Sequence, residues 1–175
     1  MTYEIALVPY DPAWPRRFEA ERTLLTKVLQ PWLRGGIHHV GSTAIPGVAS
    51  KPIIDMLAGV RDLDEARAAF GVLAKHSYVY ARHRPQIAHH FSKPSLDVRE
   101  ITHGLHLTEP GSDLWRERLA FRDALRADAA LAAEYERLKL RLAERHRSDV
   151  SAYTTAKRTF VARVLAEAGI EISGR

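Results

Sequence analysis

No cysteine occurs anywhere in the 175 residues. That removes a disulfide framework, a thiolate zinc site and a cysteine nucleophile together, so any metal must sit on carboxylates and imidazoles. No window approaches the roughly 20 apolar residues of a membrane span. The opening stretch MTYEIALVPYDPAWPRRF also lacks the basic start and long apolar run of a signal peptide. The expectation is a cytoplasmic protein with no membrane partner. A clustered basic stripe, the mark of a polyanion binder, is missing too. Lys and Arg outnumber Asp and Glu by 26 to 21, for a formal charge of +5. They are spread through stretches such as EYERLKLRLAERHR, where alternating charge marks a solvated face. The balance favours small anions such as phosphates, and nucleic acid is not expected.

The length suits one domain with a real hydrophobic core. A strand-like start, Tyr3 to Val8, precedes Asp11-Pro12, which reads as an N-cap followed by proline at the first helical position. The helix is expected to run to Gln30 on an apolar stripe of Phe18, Leu25 and Leu29, and to be ended by Pro31, Gly35 and Gly36. Ile37 to Val40 is a short strand leading into a turn. Pro52 to Val60 is almost wholly apolar, the pattern of a strand covered on both faces in a mixed sheet. Asp62 to His76 carries Leu63, Ala66, Phe70 and Leu73 at helical spacing. Tyr78 to Tyr80, His89 to Ser92 and Gly104 to Thr108 are strand candidates, separated by RHRPQ and by KPSLDVREI, which reads as either loop or strand. After Glu109 the apolar sets Leu114, Phe121, Leu125, then Leu131, Tyr135, Leu138, Leu142, then Tyr153, Ala156, Phe160, Val164 predict three helices. The class is α+β: a small mixed sheet flanked by helices in residues 1–109, with a C-terminal helical tail, residues 110–175, packed on it.

Two features carry chemistry. In Gly41-Ser42-Thr43 the glycine lets backbone approach a ligand, and two hydroxyls with successive amides offer donors to an anion; taken alone, such a tripeptide is more often a turn with a capping serine. Asp55 stands inside Ile53-Ile54-Asp55-Met56-Leu57, a segment that otherwise belongs in the core. A carboxylate there needs a cation, a metal or several donors, although a structural tie to an arginine would satisfy it equally.

The run GSTAIPGVASKPIIDMLAGV resembles the signature of the GrpB family, a branch of the nucleotidyltransferase superfamily. The likeness extends to Asp11-Pro-Ala-Trp14-Pro15, to His103-Gly-Leu-His106 with Glu109-Pro-Gly-Ser112, to Phe121-Arg122-Asp123, and to Tyr135-x-x-Leu138-Lys139 and Tyr153-x-x-x-Lys157. It implies a nucleotidyltransferase-like sheet in which Gly41, Ser42 and Thr43 bind phosphate and Asp55 holds a divalent ion, Mg or Mn. Active members of the wider superfamily carry a second acid two positions on, on the same face of the strand, and a third on a later strand. Here the second position is Leu57, so the paired clamp is broken; Asp97, Glu100 and Glu109 are candidates to replace it. On the later strand, Gly104, His106 and Thr108 share one face, which aims His106 at the site as a general base or phosphate donor. Lys51 and Lys93 are placed to reach phosphates. In the tail, Tyr135 and Lys139, and Tyr153 and Lys157, lie one helical turn apart; with Arg122 these lysines would close the phosphate site from above.

Three functions follow as expectations. One is an enzyme transferring a nucleotidyl or phosphoryl group, with Asp55 and His106 catalytic. The second is a nucleotide- or phosphometabolite-binding or accessory module that has lost catalysis; because the family is found joined to dephospho-CoA kinase, the resemblance implies a role near coenzyme A metabolism. The third is an interaction protein working through the helical tail.

Overall fold

The computed structural model describes residues 4–171. Of the expected N-terminal strand, Tyr3 lies outside the described residues, and Val8 makes only an isolated antiparallel bridge to Ser50. Helix α1 spans Trp14–Leu29, later than Asp11-Pro12 suggested. The Asp11 carboxylate instead accepts the Ala13 N–H at 2.8 Å and closes a turn ahead of the helix. Pro15 occupies the first turn, where a missing N–H costs nothing.

Strand β1 (Leu33–Val40) begins earlier than expected. Gly35 and Gly36, expected to end α1, lie inside it at φ of 86° and 83°, where the register slips between Leu33 and Ile37. Two residues in the left-handed region absorb that irregularity, and glycine does so without a Cβ penalty. Strand β2 is Ile54–Val60. The segment expected as one helix over 62–76 divides into a 3-10 turn, Glu65–Ala69, and the short helix α2 (Phe70–Lys75). Strands β3 (Val79–Ala81), β4 (His89–Lys93) and β5 (His103–Thr108) follow. RHRPQ and KPSLDVREI contain no strand of their own. The five strands form one sheet in the order β1-β2-β5-β4-β3, with β2 and β5 parallel and the other neighbours antiparallel.

Strand alternation divides the sheet into two faces. On one, Ile54, Met56, Ala58, Leu105, Leu107 and Phe91 bury themselves against Trp14, Phe18, Leu25 and Leu29 of α1. Lys93, two residues after Phe91, shares this face. Its Nζ donates to Glu21 Oε1 at 2.8 Å, and the Tyr78 hydroxyl donates to the same oxygen at 2.8 Å. Burial pushes the Glu21 carboxyl up, but the hydrogen bonds from Lys93 and Tyr78, with the Lys93 charge, outweigh it and hold the group below its ordinary value.

The other face carries Asp55, Leu57, Gly104 and His106 and is covered by the helical tail. That tail has four helices, not three: α3 (Asp113–Ala127), α4 (Ala129–Arg145), α5 (Val150–Ala156) and α6 (Arg158–Glu167), the last two divided at Lys157. Ser112, Asp128 and Asp149 cap α3, α4 and α5 through side-chain oxygens that accept N–H groups of the first turn. Leu125, Tyr135, Phe160 and Val164 of the tail pack on Ile45 and Val48, just beyond the Gly-Ser-Thr turn. None of the described helices is long and apolar enough to cross a membrane.

The Glu21–Lys93 pair generates a prediction about stability. Lys93→Ala leaves a buried carboxylate short of its cation and is expected to lower unfolding free energy by roughly 2–3 kcal/mol in urea titrations. The double variant Glu21→Gln/Lys93→Met should recover most of that loss.

Candidate anion-binding site

Val40 at the end of β1 pairs with Asp55, and Asp55 pairs across its other edge with Gly104 of β5. The carboxylate is therefore flanked by two glycines, Gly41 just past the end of β1 and Gly104 on β5. A Cβ on Gly41 would lie 2.7 Å from Asp55 Oδ2, and one on Gly104 would lie 2.7 Å from Oδ1. Neither distance leaves room for a side chain. Gly41 also holds φ 73° and ψ −176°, a conformation essentially confined to glycine. Asp55 is half-buried, and no described residue donates a hydrogen bond to its carboxylate. Burial lifts it above the ordinary aspartate range, and the charges of Arg118, Lys51 and Lys157 pull it back only in part.

The turn after Gly41 is a single 3-10 turn, Ser42–Ala44. The Ser42 side chain lies close enough to the Tyr135 hydroxyl of α4 to lower its pKa against the effect of burial. Thr43 points the other way: its Oγ1 donates to the Ile53 carbonyl at 3.0 Å and meets His39 Nε2 at 2.9 Å. Arginines of α3 hold the turn's carbonyls, Arg126 Nε donating to Ala44 at 2.8 Å and Arg122 Nη1 to His39 at 3.2 Å. The Lys139 ammonium, almost wholly buried, donates to the Ala49 carbonyl and lies 4.9 Å from the Tyr135 ring centroid. Burial, with repulsion from Lys157, depresses Lys139 to about 7 despite the nearby Glu136.

Over the turn opens a cavity of about 810 Å³ whose wall includes Gly41, Arg118, Phe121, Tyr135, Lys157 and Arg158. Asp55 lies directly behind Gly41. Lys157 packs its Nζ 4.3 Å from the Tyr153 ring centroid. It is lowered to about 8 by burial and by Lys51 and Arg118, against the pull of Asp55. Among the described residues, no carboxylate forms an ion pair with Lys51, Arg118 or Lys157. His106 lies across from Leu57 on the Asp55 face, and its ring stands edge to face with that of His90 at 4.6 Å. Burial, Arg118 and His90 hold His106 well below the usual imidazole value.

The fold and site invite comparison with known proteins. The family description "GrpB protein" matches residues 4–167. The chain belongs to the GrpB family. It is 37% identical to the glutamate-rich protein GrpB of Alkalihalophilus pseudofirmus, over 94% of this chain and 95% of that one. A UPF0157 protein of Deinococcus radiodurans is 36% identical over 93% of this chain and 81% of its own length. YqkA of Bacillus subtilis is 35% identical over 88% of the chain, which spans only 44% of that longer protein. Among solved structures, the conserved protein GrpB from Enterococcus faecalis superposes with a TM-score of 0.84 at 28% identity, covering 93% of this chain and 96% of that one. A chain of the GLD-2/RNP-8 complex superposes at 0.54 and 12% identity, over 85% of this chain and 51% of that one, a likeness of fold alone. The GrpB-family fold is nucleotidyltransferase-like, as the sequence resemblance implied.

Six of the residues singled out in the sequence gather at this turn: Gly41 and Lys157 line the cavity, Ser42 and Asp55 adjoin Gly41, His106 shares the Asp55 face of the sheet, and the charge of Lys51 reaches Asp55. Five do not. Lys93 is on the opposite face of the sheet, tied to Glu21, because strand alternation sends it there. Thr43 and Tyr153 are buried, Lys139 is spent on Ala49, and Arg122 is spent on His39 and Asp123. No candidate replaces the missing second acid. Asp97 pairs with Arg99, Glu100 accepts from Ser95, and Glu109 accepts the Leu63 N–H. The described residues contain no group of three His, Cys, Asp or Glu side chains able to hold a metal. Sequence reasoning missed Arg118, although a signal was present: it falls between Leu114 and Phe121 on the apolar stripe of α3, where a core residue is expected and a charge is out of place.

Two predictions follow from this packing. Gly104→Ala forces a Cβ onto the Asp55 carboxylate and should cost about 1–3 kcal/mol. Adding Asp55→Ala should relieve it, whereas the same second change should not rescue Gly41→Ala, whose backbone conformation is itself disfavoured. Lys139 concerns pH. Its folded value, about 7, is below the ordinary lysine value of 10.5. Between the two the unfolded chain holds more protons, so stability rises with pH across that window, while below it the penalty is fully present. Urea titrations at pH 7 and 9.5 should show that rise, and Lys139→Met should shrink it.

Proposed function

We propose that this GrpB-family protein binds a nucleotide or another phosphorylated small molecule in the cavity over Gly41. Lys51, Arg118 and Lys157 supply the positive charge, and Ser42 supplies a hydroxyl at the turn. One observation carries this reading: three cations from three separate parts of the chain surround a single carboxylate, and none has an anionic partner in contact among the described residues. Like charges brought together without counter-ions raise the energy of the empty site, and a bound anion lowers it.

A resident Mg or Mn ion does not fit the donor set. Magnesium asks for several oxygens, and the only carboxylate at this point has Leu57 where a second would stand, glycine on either side, and cations beyond. The anion's charge is met by the protein's own side chains. A second reading, transfer of a nucleotidyl or phosphoryl group, is favoured by the carboxylate itself. Asp55 carries no hydrogen bond from the described residues and lies diagonal to the neutral imidazole of His106. In that reading Asp55 and His106 receive and return the proton of an acceptor hydroxyl. Phosphoryl transfer depends on accurately placed charge, so the lone acid makes slow turnover or none the expectation.

Each nucleoside triphosphate, pyrophosphate and the precursors of coenzyme A, with and without Mg or Mn, should be tested for thermal stabilisation and for pyrophosphate release. Stabilisation by at least one of these without turnover is the expected result. Release that disappears in Asp55→Asn would establish the enzyme instead. No stabilisation by any of them would refute the binding reading and leave a protein that acts through its helical surfaces.

A further inference from the structure

Arg118 occupies a position that the anion-binding reading does not yet explain. It projects from α3 into the cavity wall, and its charge reaches Asp55 on β2, His90 on β4, His106 on β5, Tyr135 on α4 and Lys157 at the α5–α6 junction. On the sheet beneath it, His90 and His106 are register partners, with ring centroids 4.6 Å apart at 79°. His83, from the loop before β4, continues the row 5.6 Å from His90. His106 Nδ1 is buried with no hydrogen-bond partner. Arg118, which forms no ion pair with a described carboxylate, therefore faces a histidine pair in which His106 Nδ1 has no hydrogen-bond partner.

We propose that the ligand's anionic group binds between Arg118 and the His90–His106 pair, and that the ligand enters the site together with a proton. This rests on the anion-binding function proposed above and names the residues and the proton linkage of that same site. Burial lowers His90 to about 4, with His83, Arg118 and His89 adding to it. Burial likewise lowers His106, with Arg118 and His90 adding to it. An anion on Arg118 cancels that repulsion and replaces it with attraction, so both imidazoles become easier to protonate.

The other groups facing the pair move in the same direction. Asp55 loses a cation that favours its charged form, and Lys157 loses a like-charged neighbour. Tyr135 stays neutral throughout. Glu109, Asp113 and Glu117 also line the cavity, as do Arg84 and Arg158. Asp55, His90, His106 and Lys157 thus all contribute proton uptake. His90 and His106 are in ring contact, so a proton taken up there belongs to the pair.

The test is calorimetry of the intact wild-type chain with ATP and with inorganic pyrophosphate at pH 6.5, in buffers of differing ionisation enthalpy. The slope of heat against ionisation enthalpy gives the protons taken up. Expected are uptake of about half to one proton and an affinity that falls several-fold from pH 6 to pH 7.5. Arg118→Gln should weaken binding about 10- to 100-fold. His90→Gln/His106→Gln should retain binding but flatten the pH dependence. Melting curves and circular dichroism report whether each variant folds, and the wild-type proton count needs no variant. Binding with no proton uptake, or binding unchanged in a folded Arg118→Gln, overturns this proposal and leaves the anion-binding function standing. No heat with either ligand, and no stabilisation by any phosphorylated compound, overturns both.

Discussion

The Asp55 carboxylate occupies a gap made by two missing side chains. Its strand is central, with β1 on one edge and β5 on the other; its β5 partner is Gly104, and the residue after its β1 partner Val40 is Gly41. Much else is arranged around this contact. The turn at Gly41 can swing tightly past β2 only because nothing projects from that residue. The helical tail then settles on the apolar residues that follow, Ile45 and Val48. A half-buried carboxylate is unfavourable by itself, and the structure meets it with charge at a distance, from Arg118, Lys51 and Lys157, and not with a direct hydrogen bond.

That choice explains the character of the cavity. A second carboxylate at position 57 would have turned the β2 floor into a cation site. Leucine there is fully buried and supplies no second oxygen ligand beside Asp55. The lysines and arginines of the tail divide into two sets by what they touch. Lys139, Arg122 and Arg126 spend their donors on backbone carbonyls around the turn and hold its shape. Arg118 and Lys157 keep theirs for the cavity. The first set orders the loop, which is what allows the second to be concentrated in one place without a permanent partner.

Membership of the GrpB family accounts for the fold and for the length of the match. It does not by itself state a reaction, since function resides in the site and not in the architecture. Here one half-buried acid stands among cations behind a cavity lined by Arg118, Lys157 and Arg158 together with Glu109 and Glu117, and two imidazoles that burial keeps neutral share the face of the sheet with that acid. The chemistry proposed for it is anion capture, with proton transfer as the one further step its side chains are equipped to make.

Much of this was legible in the residues. The apolar run around Asp55 announces a strand buried on both faces, the single acid within it announces a site, and strict alternation places His106 on the Asp55 side. What the sequence left open has a common physical cause: one-dimensional spacing says which residues share a face, but not which face meets which partner. Lys93 looked available for phosphate, yet the register of β4 against β5 turned it to α1 and Glu21. Lys139 and Lys157 both follow a tyrosine by one helical turn, and only the packing of α4 and α5 decided that one is buried on a carbonyl and the other faces the cavity. The sequence by itself determined the strand, the acid and the glycine turn, because those depend on local pattern and backbone freedom. Tertiary structure alone decided which cations surround Asp55, because long side chains from distant helices reach a point that no spacing rule can locate.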